Sequence, residues 1–239
     1  MGNIHKSHPL SRGLPHDLGG QTGYCFDFSA VQADEPVFAQ TWHGRALAVT
    51  IAAAAHGKWN LDASRHAREL LSPEDYASFS YYEKWISALA DLLVQHGLVT
   101  EQELVNTKAS QYSPPLPASL TAEKAQKMIS TGGPTNRPLQ VKPKFNLAQK
   151  VSTKTPEMVA IQPGGHTRLP GYASLKTGII TACHGGHILP DSHAHFKGEA
   201  PEPLYTVSFK ASDLFATAHD KDEVRLDLWE RYLEPAQDD

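Results

Sequence analysis

A histidine-rich segment is the part of the sequence that first suggests chemistry. The run HGGHILPDSHAH carries His184, His187, His193 and His195 together with Asp191. Imidazole and carboxylate groups are common zinc ligands. The spacing, however, matches neither a helical i, i+4 pair nor a zinc finger, and the glycines and proline predict a loop whose imidazoles diverge. We therefore expect a polar, solvated loop here rather than a metal site.

Cys183 and His184 are adjacent and are the types of residue that form a nucleophile and its base. Successive side chains of a β-strand point to opposite faces, so this imidazole would not reach the thiol. A small, buried apolar role for Cys183 is the simpler interpretation. The sequence also lacks a glycine-rich phosphate loop, a nucleophile elbow and a paired-cysteine metal motif. Taken alone, the chain is catalytically incomplete.

Two arginines have local settings that suit the recognition of an anion. Arg65 lies near the start of a predicted helix, in NLDASRHARE, and Arg168 lies in a glycine-rich turn, in GGHTRLPGY. Each guanidinium could present a fork of donors to a planar anion. A single arginine is nevertheless most often a solvated surface residue. Neither composition nor spacing distinguishes Arg65 or Arg168 from such a surface arginine.

Length and composition narrow the class of protein. The chain has 239 residues, 22 basic and 26 acidic side chains, and a net charge of -4 at pH 7. This balance argues against a nucleic-acid groove or a membrane-binding patch, both of which need clustered positive charge. Two cysteines, Cys25 and Cys183, do not make a disulfide framework, and the sequence shows neither a signal-peptide pattern nor a long apolar run. The prediction is a soluble, cytoplasmic protein.

Helical periodicity dominates the first half of the chain, after an extended arm. Residues 1–33 have frequent glycines and no sustained apolar period, which predicts the arm. Residues 34–107 predict a helical domain, with a first helix that begins at Asp34-Glu35-Pro36. The helix after Ser72 is the clearest, since its apolar residues recur every three or four positions until Gly97.

The second half changes to strand-like patterns. Prolines and a Gly-Gly pair over 108–144 predict a long linker. From 145 to 239, apolar runs and alternation predict strands, and Gly185-Gly186 is a turn signal. The predicted strands span 178–183, 204–209 and 224–229. They indicate a small, strongly bent β-barrel. The predicted fold class is therefore α+β: an N-terminal all-helical domain with an extended arm, a long linker and a C-terminal barrel domain.

Several short sequence words, taken in order, are similar to one enzyme family. They are HDLGGQTG (16–23), ADEPVF (33–38), LSPEDY (71–76), SYYEKWISALADLLVQHGLVT (80–100), GHTRLPGYASLKTGII (165–180), PLYTVSF (203–209) and LDLWERYLEP (226–235). Across nearly the whole chain, this order resembles the β subunit of nitrile hydratase. The resemblance implies an arm that embraces an α subunit, a helical domain, a long linker and a barrel of the Src-homology-3-like type.

The resemblance implies an activity that this chain would share with a partner. Nitrile hydratase is a hydro-lyase that converts a nitrile to the amide, and it would act here as an obligate complex, an αβ dimer or an α2β2 tetramer. In this family the α subunit holds a low-spin Co(III) or Fe(III) in a cysteine-rich loop that contains two oxidised cysteines. The tryptophan at position 85 resembles the cobalt class. A sequence without such a loop is expected to obtain its metal from the partner.

The resemblance also assigns site residues. Arg65 and Arg168 match the two β-subunit arginines that hydrogen-bond to the oxygens of the oxidised cysteines. Tyr81 matches a tyrosine near the metal-bound substrate, while Leu61 and Trp85 match positions along the substrate channel. For Trp85, core packing on an amphipathic helix is an equally open interpretation.

Three other functions stay open on the sequence. A thiocyanate-hydrolase-type relative would have the corresponding parts on separate chains, whereas this chain is continuous. A non-catalytic metallochaperone or accessory protein would be much shorter and would lack the barrel, and a peptide-binding scaffold would be a stable monomer. The sequence departs from the family in starting well before the usual beginning near His16-Asp17. It also has Leu169-Pro170-Gly171 where relatives often carry a further arginine.

Overall fold

The structure, a computed structural model, describes residues 16–17, 36–110, 120–215, 218–219 and 221–237. These residues form helices and an antiparallel sheet, which confirms the α+β class. The chain divides into two compact units. The helical unit holds the described residues from 36 to 136 and the segment Pro190–Ala200. The sheet unit holds His16–Asp17, Arg137–Leu189 and the described residues from Pro201 onward. Most of the predicted arm lies outside the described residues, and the predicted domain boundaries stay predictions.

Six helices precede the sheet in the described part of the chain. They are α1 Thr41–Ala54, α2 Leu61–Glu69, α3 Pro73–Ser78, α4 Tyr81–Gln95, α5 Glu101–Asn106 and α6 Ala122–Thr131. Among the described residues, no helix is both long enough and apolar enough to cross a membrane.

The first helix begins later than the sequence pattern predicts. Residues 36–40 are not helical, and α1 begins at Thr41. Phe38 lies against α1, since its ring is 3.5 Å from the position of a Cβ on Gly44, and its centroid is 5.8 Å from that of Tyr82. Packing of Phe38 onto the helix therefore competes with extension of the helix through Phe38.

The clearest predicted helix is divided in two. Ser72 caps α3 by accepting a hydrogen bond from the amide of Asp75 at 3.0 Å, but α3 ends at Ser78 and Phe79 is extended. Ser80 then begins α4 with a capping box, in which the Glu83 carboxylate accepts the Ser80 amide at 2.7 Å. A second strong cap inside one apolar pattern starts a new helix rather than continuing the old one. Tyr81 consequently lies in the first turn of α4.

The core of the helical unit is a small cluster to which α1, α2 and α4 contribute. Its buried members are Ala53, Trp59, Ala63, Leu89 and Leu92. The two leucines of α4 are three residues apart, as the amphipathic pattern predicts. Helices α2 and α4 pack against each other, and Arg68 of α2 lies over the Trp85 ring of α4.

The segment Pro190–Ala200 leaves the sheet and fixes the start of α2. It begins with a short helix, α8, at Pro190–His193. The Asn60 side chain caps α2 by accepting the Ala63 amide at 2.9 Å, and its Nδ2 donates to the His193 carbonyl at 2.6 Å. Nδ1 of His193 also lies 2.9 Å from Oδ2 of Asp62 in the first turn of α2.

Six strands form the sheet. They are β1 Asn136–Arg137, β2 Lys150–Thr153, β3 Thr177–His187, β4 Glu202–Lys210, β5 Glu223–Trp229 and β6 Leu233–Pro235. The order is β5-β4-β3-β2-β6, with β1 beside β3, and the pairs along that path are antiparallel. Short helices α7 Pro156–Val159 and α9 Ala211–Leu214 lie between strands. The three predicted strands are confirmed, while no pairing of β5 with β6 occurs among the described residues.

Gly185-Gly186 belongs to β3 and is not a turn. The strand continues to His187, with an irregular pairing to β4 between Cys183 and Gly186. A Cβ on Gly186 would collide with the carbonyl oxygen of Arg137 in β1. The turn prediction is wrong because this glycine permits a close approach of two strands rather than a reversal of the chain.

A buried carboxylate stands at the edge of the sheet unit's core. Glu230 is 6% exposed, and its Oε2 accepts the Tyr205 hydroxyl at 2.7 Å and the Lys144 amide at 2.8 Å. Burial raises the pKa of Tyr205 strongly, the hydrogen bond from the Phe145 amide opposes that rise, and the bond to Glu230 adds to it. Glu230 thus connects Tyr205 of β4 to Lys144 in the segment that precedes β2.

Candidate functional site

Four of the five predicted site residues lie on α2 and α4. Leu61 and Arg65 are four residues apart on α2, and Tyr81 and Trp85 are four apart on α4, so each pair shares a helix face. Leu61 is 59% exposed and Tyr81 is 64% exposed. The ring centroids of Tyr81 and Trp85 are 5.6 Å apart. The helical unit therefore presents apolar and aromatic side chains on α2, which carries Arg65, and on α4.

Arg65 is held by a buried carboxylate. Its Nη1 donates to Oδ1 of Asp62 at 2.9 Å, and the side chains of Arg65 and Asp62 are 39% and 9% exposed. The other oxygen of Asp62 is 2.9 Å from Nδ1 of His193. A guanidinium has five N–H donors, so donors remain for an acceptor outside the unit. Asp62 and His193 therefore orient the Arg65 side chain without using all of its donors.

Arg68 is part of the same surface, although the sequence interpretation missed it. Its Cζ lies 4.5 Å from the centroid of the Trp85 ring. Burial lowers the pKa of Arg68, the nearby Tyr81 opposes that effect, and Arg65 adds to it. Leu61, Arg65 and Arg68 stand at i, i+4 and i+7, which is one helical stripe. That spacing is the signal that could have identified Arg68.

Trp85 contacts surface side chains rather than the helical core. Its ring centroid is 6.1 Å from that of Tyr82, in addition to its contacts with Tyr81 and Arg68. Within the described residues, it is not a member of the buried cluster of the helical unit. Its assignment to a substrate channel stays a prediction.

Arg168 belongs to the sheet unit and lies in a well-anchored loop. The flanking His166 and Leu169 are 1% and 2% exposed, and the Arg168 amide donates to the Tyr232 hydroxyl at 3.2 Å. Farther along the loop, the Gly171 amide donates to Oδ2 of Asp17 at 2.7 Å, which is a contact from a described residue of the arm. The exposed Arg168 guanidinium makes no hydrogen bond or ion pair with the described residues.

The histidines of the first candidate site divide between the two units. In the sheet unit, Nε2 of His184 lies 2.7 Å from the Thr206 hydroxyl, and Nδ1 of His187 lies 3.5 Å from the Gly185 carbonyl. In the helical unit, His193 contacts Asp62, and the ring of His195 is 4.8 Å from that of His66. Each histidine thus has its own partner. The loop prediction is wrong for His184 and His187, which lie in β3, and for His193, which ends α8.

Cys183 is exposed on β3, so the prediction of a buried thiol is wrong. Its neighbour His184 hydrogen-bonds across to β4 rather than to the thiol. The pairing of β3 with β4 shifts between Ile180 and Ala182. Such an irregularity interrupts the alternation of side chains between the two faces of the sheet. A prediction based on strict alternation then places a side chain such as that of Cys183 on the wrong face.

Comparison with known proteins identifies several relatives of this chain. The family models described as nitrile hydratase beta subunit match residues 13–131 for the N-terminal part and 134–235 for the C-terminal part. The nitrile hydratase subunit beta of Pseudomonas putida is 33% identical over 227 residues, which cover 92% of this chain and 98% of that protein. The low-molecular weight cobalt-containing nitrile hydratase subunit beta of Rhodococcus rhodochrous is 33% identical over 230 residues, with coverages of 92% and 98%.

Another relative is also named for cobalt. The cobalt-containing nitrile hydratase subunit beta of Pseudonocardia thermophila is 33% identical over 212 residues, which cover 84% of this chain and 88% of that protein. The two family models lie end to end along the sequence, and the relatives align over most of it. The chain belongs to the nitrile hydratase β-subunit family.

Proposed function

We propose that this chain is the β subunit of a nitrile hydratase and that it hydrates nitriles to amides in complex with a metal-bearing α subunit. The observation that carries the proposal is the match of both family models, over 13–131 and 134–235. The names of two relatives include cobalt, which favours Co(III) over Fe(III). An αβ dimer or an α2β2 tetramer in the cytoplasm is the proposed assembly.

The match to the C-terminal family model also separates this function from its rivals. An accessory metallochaperone would lack that part of the chain, and a thiocyanate-hydrolase-type relative would carry it on a separate chain. The match spans 134–235 of one continuous sequence. We further propose that the sheet closes into a small barrel of the Src-homology-3-like type, supported by the pairing irregularities of β3, which increase local twist and bending.

This chain would contribute hydrogen-bond donors close to the metal rather than ligands to the metal. Cys183 is exposed in β3, and Cys25 lies outside the described residues. Arg65, with its fork partly exposed and held by Asp62, suits paired oxygens such as those of an oxidised cysteine. When bound by the partner, a trivalent metal supplies Lewis acidity toward a nitrile or water.

The remaining site residues would position the substrate. Arg65 and Arg168 would stabilise an anionic cysteine oxygen, because a guanidinium stays charged at any physiological pH. Tyr81, exposed in the first turn of α4, would orient the nitrile or relay a proton through its hydroxyl. Leu61 and Trp85 would form apolar walls that exclude water from the reacting group.

The proposal is tested by producing the chain together with its α-type partner. We expect the two chains to co-purify with a stoichiometric amount of cobalt or iron. We also expect the complex to form the amide from a small nitrile, which chromatography would measure. A metal-loaded complex that leaves every tested nitrile unchanged would contradict the proposal. Conversion of thiocyanate in place of nitriles would favour the thiocyanate-hydrolase-type alternative, and a stable lone monomer would favour a binding scaffold.

Asp62→Asn in the assembled complex is expected to lower kcat about tenfold while KM changes less. The amide retains the size of the carboxylate but loses the charge that holds Arg65, and such charge-assisted bonds are the stronger ones. Steady-state kinetics with a small neutral nitrile provide both constants. The control is Asp91→Asn, which removes the same charge from an exposed position of α4. An equal fall of kcat in both variants would exclude a positioning role for Asp62.

A further inference from the structure

Arg68 has no task in the proposed function, yet it is a partly buried cation on the same stripe as Arg65. Its guanidinium lies over the Trp85 ring, with Cζ 4.5 Å from the centroid. Unlike Arg65, which is tied to Asp62, it forms no hydrogen bond or ion pair with the described residues. Burial lowers the pKa of Arg68, and Glu69 offsets that effect only in part and without an ion pair to Arg68, so this partly buried charge can still be stabilised by a negatively charged ligand.

The carboxylates near this surface are already engaged. Asp62 accepts from Arg65 and contacts His193, as described above. Oε2 of Glu69 lies 3.1 Å from Nδ1 of His66. A further cation, Lys84, lies over the Tyr76 ring with Nζ 4.1 Å from its centroid. Glu69 also attracts Arg68 electrostatically, but it forms no ion pair with Arg68, so the guanidinium donors of Arg68 stay available to an anion.

The position of Arg68 sets the size of the ligand. Residues three apart on a helix have Cβ atoms about 5–6 Å apart, which is the separation expected between Arg65 and Arg68. A nitrile that reacts beside Arg65 would bring a group two or three bonds farther along its chain to Arg68. The Trp85 ring that supports Arg68 is the proposed channel wall.

We propose that Arg68 binds the carboxylate of the substrate and that this subunit selects short nitriles with a terminal carboxylate. The inference rests on the proposed function and adds its substrate class. Stacking on an indole fixes the plane of the guanidinium and leaves its edge donors for a planar carboxylate. An acidic side chain of the α subunit is the rival occupant. A small ligand is favoured, because the contact with Trp85 holds the guanidinium donors of Arg68 along the proposed channel wall.

The test compares two near-isosteric nitriles, 3-cyanopropanoate and the neutral 3-cyanopropanamide, in the metal-loaded complex. The readout is the ratio of kcat/KM for the anionic nitrile to kcat/KM for the neutral one. In Arg68→Gln, this ratio is expected to fall about tenfold to a hundredfold, chiefly through KM, because a charge-assisted hydrogen bond is lost. Arg68→Lys retains the charge but not the fork, so an intermediate ratio is expected. Arg45→Gln, which removes an exposed arginine from α1, is the matched control.

The possible outcomes separate this inference from the proposed function. A ratio in Arg68→Gln equal to that in Arg45→Gln overturns the inference. Weaker association with the α subunit, together with an equal loss for both nitriles, assigns Arg68 to the partner and also overturns it. A wild-type complex that hydrates only the neutral nitrile overturns the inference but leaves the function standing. If the metal-loaded wild-type complex hydrated neither of the two nitriles, the proposed function itself would be contradicted.

Discussion

Arg65→Lys in the metal-loaded complex is expected to lower kcat for nitrile hydration by about 10²- to 10³-fold, the loss found when a donor to a developing oxyanion is removed. Lysine retains the positive charge, but one ammonium cannot both hold Asp62 and offer a parallel pair of N–H bonds to a second acceptor. The measurement is steady-state turnover of a small nitrile, with metal content and subunit ratio determined on the same sample. Arg168→Lys is expected to act in the same direction.

Arg45→Lys is the control for this substitution. Arg45 is exposed on α1, so the same change there should leave turnover and assembly unaltered. Wild-type turnover in Arg65→Lys, with full metal and an intact complex, would refute the assignment of Arg65.

Glu230→Ala is expected to destabilise the sheet unit by about 2–6 kcal/mol, because a buried donor left without an acceptor costs about 1–3 kcal/mol and two donors lose theirs. The substitution leaves the Tyr205 hydroxyl and the Lys144 amide without their acceptor. It also removes the ion pair to Nζ of Lys144, 3.5 Å from Oε1, although that lysine is exposed and adds little. The effect should appear as a lower Tm of the complex by calorimetry.

Glu234→Ala is the matched control for stability. Glu234 is exposed in β6, four residues beyond Glu230, and its removal takes the same charge from the same end of the chain. If the Tm of Glu230→Ala equalled that of Glu234→Ala, the buried carboxylate would have no special role in stability.

Short-range signals predicted much of the secondary structure, because caps and alternation act within a few residues. Ser72, for example, caps the start of a helix, as the sequence pattern predicts. Predictions failed where a second influence competed with the local pattern. Ser80 begins a new helix inside a continuous apolar stripe, and Gly186 accommodates a neighbouring strand rather than a turn.

The candidate site was harder to predict from the sequence than the secondary structure was. Arg65 and Arg168 could be chosen only by resemblance, because an arginine in a helix or a turn has no distinctive spacing. The group that orients Arg65 depends on His193, which is 131 residues from Asp62 in sequence. No local pattern reports such a contact. Arg68, by contrast, was open to prediction, since its place on the stripe follows from helical geometry alone.

The return of Pro190–Ala200 to the helical unit has a consequence for the connectivity of the chain. Asn60 and Asp62 take a partner from a segment that lies between β3 and β4 in sequence. A cut in the linker would therefore yield two fragments of which the first lacks part of its own fold. We expect such fragments to regain native structure only on recombination, as in split-protein complementation. The helical unit is thus completed by noncovalent contacts with Pro190–Ala200 and not by the covalent continuity of the linker.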